Sequence, residues 1–306
     1  MKNQTLVSEF VLLGIQDFIN FKIPLFSLFL LIYIMTVWEN ILIIVLVSIS
    51  RNLKSPMYFF LQQLSLTDLL EATDTVPTLL QTGIYDRVLM SFVGCITQFS
   101  LFCVSESFEC LLLAVMSYDR YVAICIPLRY SSIMSHRVCV TFILMSWVLG
   151  LITALLLANF TATLQFRDLN TINHFFCDLL PILELSCSDT FFVQLEVTML
   201  SIPVAVFPLI FIIISYLCIA HAILKIVSNT GRQKAFSTCG SHLAVVSLFY
   251  GTLIAIYVVP HKKNSQTLSK LLSLLYTVVT PLINPLIYSL RNNDIRQALD
   301  HLVTRK

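Results

Sequence analysis

Charged residues are scarce in this chain. Asp, Glu, Lys and Arg make up only 12% of its 306 residues, whereas 57% are hydrophobic. The mean hydropathy is +0.85. A soluble globular domain carries about twice this share of charged residues, so the composition excludes an ordinary soluble fold and indicates an integral membrane protein.

Long polar connections are also lacking, which leaves no room for a second, soluble domain. A helix that crosses a bilayer needs about 20 mainly apolar residues, and seven such stretches follow one another. They cover approximately residues 23–49, 57–80, 92–119, 138–158, 191–224, 236–259 and 268–290. We therefore predict an all-α membrane protein, a single seven-transmembrane helix bundle over residues 1–306, with a short cytoplasmic C-terminal helix.

The sequence shows no basic leader and no small-residue cleavage site before the first stretch, so we expect the first span to act as its own signal anchor. Most of the 19 lysines and arginines fall on the side that holds the C-terminus. Because the richer side faces the cytoplasm, the N-terminus is predicted to be extracellular. Asn3 begins an Asn-x-Thr triplet on that side and is the expected glycosylation site.

Three absences exclude other function classes. No internal repeat is present, which argues against a transporter. The histidines show no spacing typical of a catalytic or metal-ligand pair, so we expect no enzyme and no catalytic residue. No feature suggests a nucleic-acid partner.

The nine cysteines do not form the framework of a small secreted domain, since most lie in apolar spans, where they behave as small hydrophobes. Cys95, Cys177 and Cys187 fall where oxidation is expected. A bridge between Cys95 and Cys177 would tie the loop between the fourth and fifth spans across the helix ends.

Several spans nevertheless contain polar groups. Asp68, Glu106, Glu109 and Asn284 are placed in mid-membrane, where an ionisable group costs roughly 2.5 to 3.5 kcal/mol, so each should face the bundle interior. Prolines in the spans release backbone carbonyls that a neighbour must satisfy.

An adjacent acid and arginine, Asp119 and Arg120, end the third span. Alone, such a pair can be an interfacial ion pair that only anchors the helix. Its surroundings favour another interpretation, because five motifs occur in order over nearly the whole chain. They are Pro56–Leu61 with Leu64–Asp68, Met116–Cys125 with Pro127–Tyr130, Ser215–Tyr216, Lys234–Leu243, and Pro281–Asn292. Together they resemble the vertebrate odorant (olfactory) receptors of the rhodopsin-like class of G-protein-coupled receptors.

The resemblance implies a plasma-membrane, multi-pass receptor for a small-molecule odorant, surrounded by membrane lipid. The ligand shifts an equilibrium between two states, and the activated state opens to a stimulatory heterotrimeric G protein that raises cyclic AMP. Asp119 would restrain Arg120 at rest, and Arg120 would move toward Tyr216 on activation. The other coupling residues that the motifs imply are Tyr121, Lys234, Asn284, Pro285 and Tyr288.

Helical spacing predicts one stripe on the third span, and the family's ligand cavity lies beside it. The predicted stripe comprises Phe99, Phe102, Cys103, Glu106, Ser107 and Cys110. Other spans would add Thr153, Leu200, Val204, Tyr250, Leu253, Ile254, Tyr257 and Thr277. Such a cavity is mostly apolar with a few hydroxyl groups.

Glu106 departs from the family pattern, which carries its acid at the position of Glu109. Its carboxyl group could be the counterion of an amine. Equally, it could be protonated or hydrogen-bonded to a neighbouring helix.

Asp68 and Glu109 resemble a central sodium site, with Asn40 and Asn284 beside it, although a shared proton would serve equally well. No other cofactor is expected.

Two further departures concern Arg167, where the family has a cysteine, and Glu39, where it has a glycine. The first leaves Cys187 without its usual partner.

The alternative function is a non-olfactory rhodopsin-like receptor for a small amine or another metabolite. The Lys234–Leu243 run and the short N-terminal segment favour the odorant receptor.

Overall fold

The computed structural model describes residues 8–15, 22–50, 52–85, 87–166, 170–225, 228–257, 266–291 and 293–304. The described α-helices, in chain order, are α1 (Lys22–Ile49), α2 (Pro56–Ile84), α3 (Phe92–Cys125), α4 (Tyr130–Ile133), α5 (His136–Ala162), α6 (Leu179–Leu185), α7 (Phe191–Ser201), α8 (Phe207–Leu224), α9 (Asn229–Tyr257), α10 (Gln266–Leu274), α11 (Thr280–Arg291) and α12 (Asn293–Thr304).

Two π-helical turns join pairs of these helices into longer spans. Ile202–Val206 links α7 to α8, and Leu275–Val279 links α10 to α11. The first turn contains Pro203, which has no backbone N–H to donate and so interrupts the regular backbone hydrogen bonds of the helix. Seven helical spans result, and each lies over one of the seven stretches predicted from the sequence.

Six of these spans, within the described residues, are long and apolar enough to cross a membrane: all but α2. The helix α2 has 29 residues, which is sufficient length, but it carries Asp68, Glu71 and Asp74. Because it packs between α1 and α3, Asp68 and Glu71 are buried in protein and not exposed to lipid. Its lower hydropathy therefore reflects an internal polar face.

Local sequence explains several helix ends. Pro56 begins α2, where a missing N–H costs nothing. The hydroxyl of Ser91 caps α3 by accepting the N–H of Gly94 at 3.0 Å. The helix α3 continues to Cys125, six residues beyond the predicted end, and α9 begins at Asn229 instead of residue 236.

A small three-stranded sheet, absent from the sequence prediction, lies on the extracellular side. Its strands are β1 (Glu9–Leu12), β2 (Val88–Ser91) and β3 (Thr171–Ile172), in the order β2-β1-β3. The strand β1 pairs antiparallel with β2 and parallel with β3. Phe10 and Leu12 are fully buried on one face of β1, as the two-residue period of a strand requires.

Candidate functional site

The third span presents a stripe of side chains to the centre of the bundle. Phe99, Phe102, Cys103 and Cys110 are buried on α3. Together with Glu106, which lies between the two cysteines, they recur at intervals of three or four residues, so they share one helix face. From Phe99 to Cys110 this face is roughly 16 Å long. It forms one wall of a cavity.

The cavity has a volume of about 570 Å³, within the range of small-molecule sites. It is enclosed by α3, α5, α6, α7, α8, α9 and the first π-helical turn. Its lining includes twelve of the fourteen residues proposed from the sequence: Phe99, Phe102, Cys103, Glu106, Ser107, Cys110, Thr153, Leu200, Val204, Tyr250, Leu253 and Ile254.

The other two proposed residues differ. Thr277 does not line this cavity; it is fully buried in the second π-helical turn, and its hydroxyl donates to the carbonyl of Ser273 at 2.8 Å. The side chain of Tyr257 lies outside the part of the chain that the structure describes.

Sequence reasoning missed thirteen other lining residues, most of which come from α6, α7 and α8. The missed residues are Leu157, Leu179, Leu180, Leu183, Gln194, Val197, Thr198, Ser201, Ala205, Val206, Leu209, Ile210 and Ile213. The three leucines of α6 recur on one side of a short helix inside the loop, which is the available signal. Gln194, Thr198 and Ser201 add polar groups at helical spacing on α7.

The loop between α5 and α7 covers the extracellular end of α3 and is called the lid here. The predicted disulfide is present between Cys95 and Cys177, while Cys187 is free and exposed. The backbone N–H of Cys177 donates to Gln98 Oε1 at 2.9 Å. Gln98 Nε2 in turn donates to the hydroxyl of Thr78 at 3.0 Å, so the lid is fastened to α2 as well as to α3.

A second fastening joins the lid to α10. Lys270 Nζ donates to Asn173 Oδ1 at 2.8 Å, and Asn173 Nδ2 donates to Gln266 Oε1 at 2.5 Å. His174 is buried beside them and stacks on Phe175 at a centroid distance of 4.6 Å. Burial, followed by the charge of Lys270, lowers the pKa of His174 to about 3, so its imidazole ring is neutral at physiological pH.

Below the cavity lies a buried polar centre, and it brings together three residues proposed from the sequence. Asn284 Nδ2 donates to Asp68 Oδ1 at 3.0 Å and to Glu109 Oε1 at 3.3 Å. Glu71, whose role was not predicted, is buried one turn from Asp68. One oxygen of each of these four side chains has no hydrogen-bond partner.

These oxygens suit a hard monovalent cation or a shared proton. Within the described residues, no group of three or more His, Cys, Asp or Glu side chains is arranged to hold a metal ion. Any cation here would therefore depend on amide and hydroxyl oxygens as well as on the two carboxylates of Asp68 and Glu109.

Asn40 has a different role from the one expected. Its Nδ2 donates to the carbonyl of Pro281 at 3.1 Å, and no contact with a carboxylate is described for it. Pro285 lies inside α11 and lacks the N–H that would otherwise bond this carbonyl four residues earlier. Asn40 thus satisfies a backbone group that the proline leaves open.

At the cytoplasmic end of α3, Asp119 is fully buried. It forms an ion pair with Arg120, whose Nε lies 2.9 Å from Asp119 Oδ2. Tyr130 donates its hydroxyl to the other carboxylate oxygen at 2.7 Å. Burial and the neighbouring Asp119 carboxylate raise the pKa of Tyr130, so its phenol remains a donor.

Tyr216 bonds a residue to which the sequence had assigned no role. Its hydroxyl lies 2.6 Å from His242 Nδ1, and the two rings stack at 5.6 Å. The ring of Tyr121 stacks on Tyr118 at 6.4 Å, and the buried Tyr288 hydroxyl has no hydrogen-bond partner. The side chain of Lys234 and the whole of Asn3 lie outside the described residues.

Arg120 is therefore paired with Asp119, and Tyr216 is paired with His242. A cavity at one end of α3, a polar centre, and a charged network at the other end lie along the same helix. This arrangement can connect an occupant of the cavity to a rearrangement at the cytoplasmic surface.

Comparisons with known proteins agree with this geometry. A family model described as olfactory receptor matches residues 29–306. The chain is 45% identical over 305 residues to Olfactory receptor 5G3 of Homo sapiens, covering 100% of this chain and 97% of that protein. It is 45% identical to Olfactory receptor 1468 of Rattus norvegicus, with the same coverage. It is 46% identical over 306 residues to Olfactory receptor 10P1 of Homo sapiens, covering 100% of this chain and 98% of that protein.

Proposed function

Because this chain belongs to the olfactory receptor family, we propose that its cavity receives the odorant and that the activated receptor engages a stimulatory G protein. The family membership makes the chain a multi-pass membrane receptor for an odorant, coupled to a G protein, and not an enzyme. The position of the odorant, the class of G protein and residence in the plasma membrane are the proposal.

The cavity is the observation that supports the odorant position. Its lining is mostly aliphatic and aromatic, with hydroxyls from Ser107, Thr153, Thr198 and Ser201. Apolar surface removed from water stabilises a volatile-sized ligand by about 25 cal/mol per Å². The few polar groups then orient it.

The helix α3 connects the cavity to the coupling network. Glu106 and Arg120 are 14 positions apart on the same continuous helix, which corresponds to roughly 21 Å along its axis. A ligand that binds the active state more tightly shifts the equilibrium by that difference in affinity. In the proposed mechanism, a small rotation or translation of α3 carries the change from the cavity to Asp119 and Arg120.

We assign the cytoplasmic contacts to a resting arrangement. Arg120 is held by Asp119, and Tyr216 is held by His242. In the proposed active state both pairs separate and Arg120 moves toward Tyr216, which opens a groove for the G protein. Tyr288, whose hydroxyl is buried without a partner, is then available to stabilise the new arrangement.

The polar centre regulates the same transition. We assign to Asp68 and Glu109 either a sodium ion or a shared proton, since Asn284 donates to both carboxylates at once. An expelled cation leaves two buried negative charges, which disfavours that state. Lipid surrounds the bundle, as the exposed Trp38, Ile152 and Leu217 indicate.

A cyclic-AMP reporter assay tests the proposal. Odorants are screened against the wild-type receptor, and Arg120→Ala is expected to abolish the response while surface labelling remains normal. Arg137→Ala is the matched control, because Arg137 lies exposed on α5. A second pair tests the cavity: Val204→Trp fills it and should abolish ligand responses, whereas Ile214→Trp, on the exposed side of α8, should not.

Three results would contradict parts of the proposal. A full response in Arg120→Ala shows that coupling does not use this network. Normal ligand potency in a surface-expressed Val204→Trp receptor shows that odorants bind elsewhere. A calcium signal without cyclic AMP would identify a different class of G protein.

A further inference from the structure

Glu106 is the single charged side chain among the described residues that line the cavity. No hydrogen bond or ion pair is formed by its carboxyl group within the described part of the chain. A carboxylate in apolar surroundings is costly unless a partner of opposite charge accompanies it. The described residues supply none, so a ligand is the available partner for an ionised Glu106.

The charges nearest to Glu106 have the same sign. Its electrostatic neighbours are Asp178, at the start of α6, and Glu109, one turn further along α3. No lysine or arginine is among the described lining residues. With these carboxyl groups ionised, the electrostatic potential in this cavity is negative, which attracts a cation and disfavours an anionic ligand.

Aromatic side chains line the same cavity as Glu106. Phe102 lies one turn outward on the same face of α3, and its ring meets those of Phe176 and Tyr276 at 5.2 and 5.7 Å. Tyr250 lines the cavity one turn inward, where its hydroxyl donates to the carbonyl of Cys110 at 3.3 Å. A cavity lined by aromatic side chains and a carboxylate suits an alkylammonium group.

We propose that the ligands of this receptor are small organic amines. The protonated nitrogen pairs with Glu106, and the hydrocarbon body lies against apolar side chains such as Val204 and Leu253. A neutral alcohol of the same skeleton gains the apolar contacts but leaves the carboxylate uncompensated. This inference rests on the proposed function of the cavity as the odorant site.

Matched ligands test this assignment. Each hydrocarbon skeleton is supplied as its primary amine, alcohol and carboxylic acid, and cyclic AMP is recorded at constant pH. We expect the amine to have a half-maximal concentration at least about tenfold below that of the alcohol, and the acid to be inactive. Glu106→Gln should raise the amine value by about tenfold or more and leave the alcohol value within about threefold.

Two further variants separate charge recognition from structural damage. Glu106→Asp retains the carboxylate and should recover a preference for amines. Glu184→Gln makes the same chemical change on the exposed side of α6 and should leave every response unchanged. Surface labelling of each variant verifies that it reaches the membrane.

The amine assignment is wrong if alcohols or acids activate the wild-type receptor while amines of the same skeleton do not. It is equally wrong if Glu106→Gln shifts amine and alcohol values by the same factor. In both cases a cyclic-AMP response that depends on Arg120 would leave the odorant-receptor proposal intact. Failure of that dependence would count against the coupling proposal and not against the ligand class.

Discussion

Asp119 is held from two sides, by Arg120 and by the hydroxyl of Tyr130. A hydrogen bond to a charged group contributes about 1.5 to 3 kcal/mol. We expect Tyr130→Phe to weaken the resting state and raise basal cyclic AMP several-fold in the absence of ligand. Tyr85→Phe, at an exposed extracellular position, is the control. An unchanged basal signal in a normally expressed variant would mean that Tyr130 does not restrain the network.

His174 gives the lid a dependence on pH. Its pKa is about 3 in the folded protein and 6.5 for the ordinary side chain, so below pH 6.5 the unfolded state binds a proton that the folded state excludes. Its contribution to stability is complete above that pH and falls as the pH decreases. Lowering the pH from 7.5 to 5 should therefore reduce the free energy of unfolding by about 2 kcal/mol through His174.

Thermal unfolding of the purified receptor at both pH values measures this effect. We expect His174→Gln to lose less stability on acidification than the wild type, because no imidazole remains to be protonated. His136→Gln, at an exposed cytoplasmic position, provides the comparison. Equal losses of stability in the wild type and His174→Gln would show that another group causes the pH dependence.

At single positions, the sequence predicted what depends on regular helical spacing. The stripe on α3 follows from a period of 3.6 residues and reaches the cavity as expected. Thr277 does not line the cavity, because the π-helical turn Leu275–Val279 adds a residue and changes the register of the side chains there. The bonds of Tyr216 to His242 and of Asn40 to Pro281 join distant segments, and no local pattern reveals such pairings.

The packing of α3 against α5 depends on one glycine. A Cβ atom on Gly150 would lie 3.2 Å from the carbonyl oxygen of Val104 and 3.5 Å from the N of Phe108. Nearby, Trp147 stacks on Phe108 at 4.1 Å. The two helices therefore approach closely at this point, as small residues allow in membranes.

Replacing Gly150 tests this contact. Gly150→Val should destabilise the receptor by about 1 to 3 kcal/mol through overpacking and lower its surface expression and melting temperature. Gly251→Val makes the same change on α9, where nothing lies within 4 Å of the added Cβ atom, and should be tolerated. Equal effects of both variants would attribute the loss to helix propensity and not to packing.

The seven spans were predictable because each is a long, mainly apolar stretch, and even α2 was identified despite its three carboxylates. Their ends were less certain, since α3 extends by its own hydrogen bonds beyond the apolar region. The sheet escaped prediction because β1, β2 and β3 have only four, four and two residues. Strands this short form only when remote segments supply their partners.

For the whole molecule, the Cys95–Cys177 bridge connects residues 82 positions apart. Constraining a loop of this length commonly contributes about 2 to 4 kcal/mol. We expect Cys95→Ser and Cys177→Ser to lower the melting temperature and abolish ligand responses, because the lid over the cavity loses its covalent attachment to α3. Cys187→Ser, which removes a free and exposed thiol, should have no such effect. Ligand responses that survive in Cys95→Ser would show that the cavity keeps its shape without the bridge.

The central position of β1 has a consequence for biosynthesis. This strand is made first, yet one of its partners arrives much later: Asn170 donates to the carbonyl of Glu9, 161 residues earlier in the chain. At about 5 to 20 residues per second, the ribosome needs roughly 10 to 30 seconds to supply that partner. During this interval the lumenal face of the nascent receptor is unfinished and open to chaperones, and its lid can close only after the fourth span has been inserted.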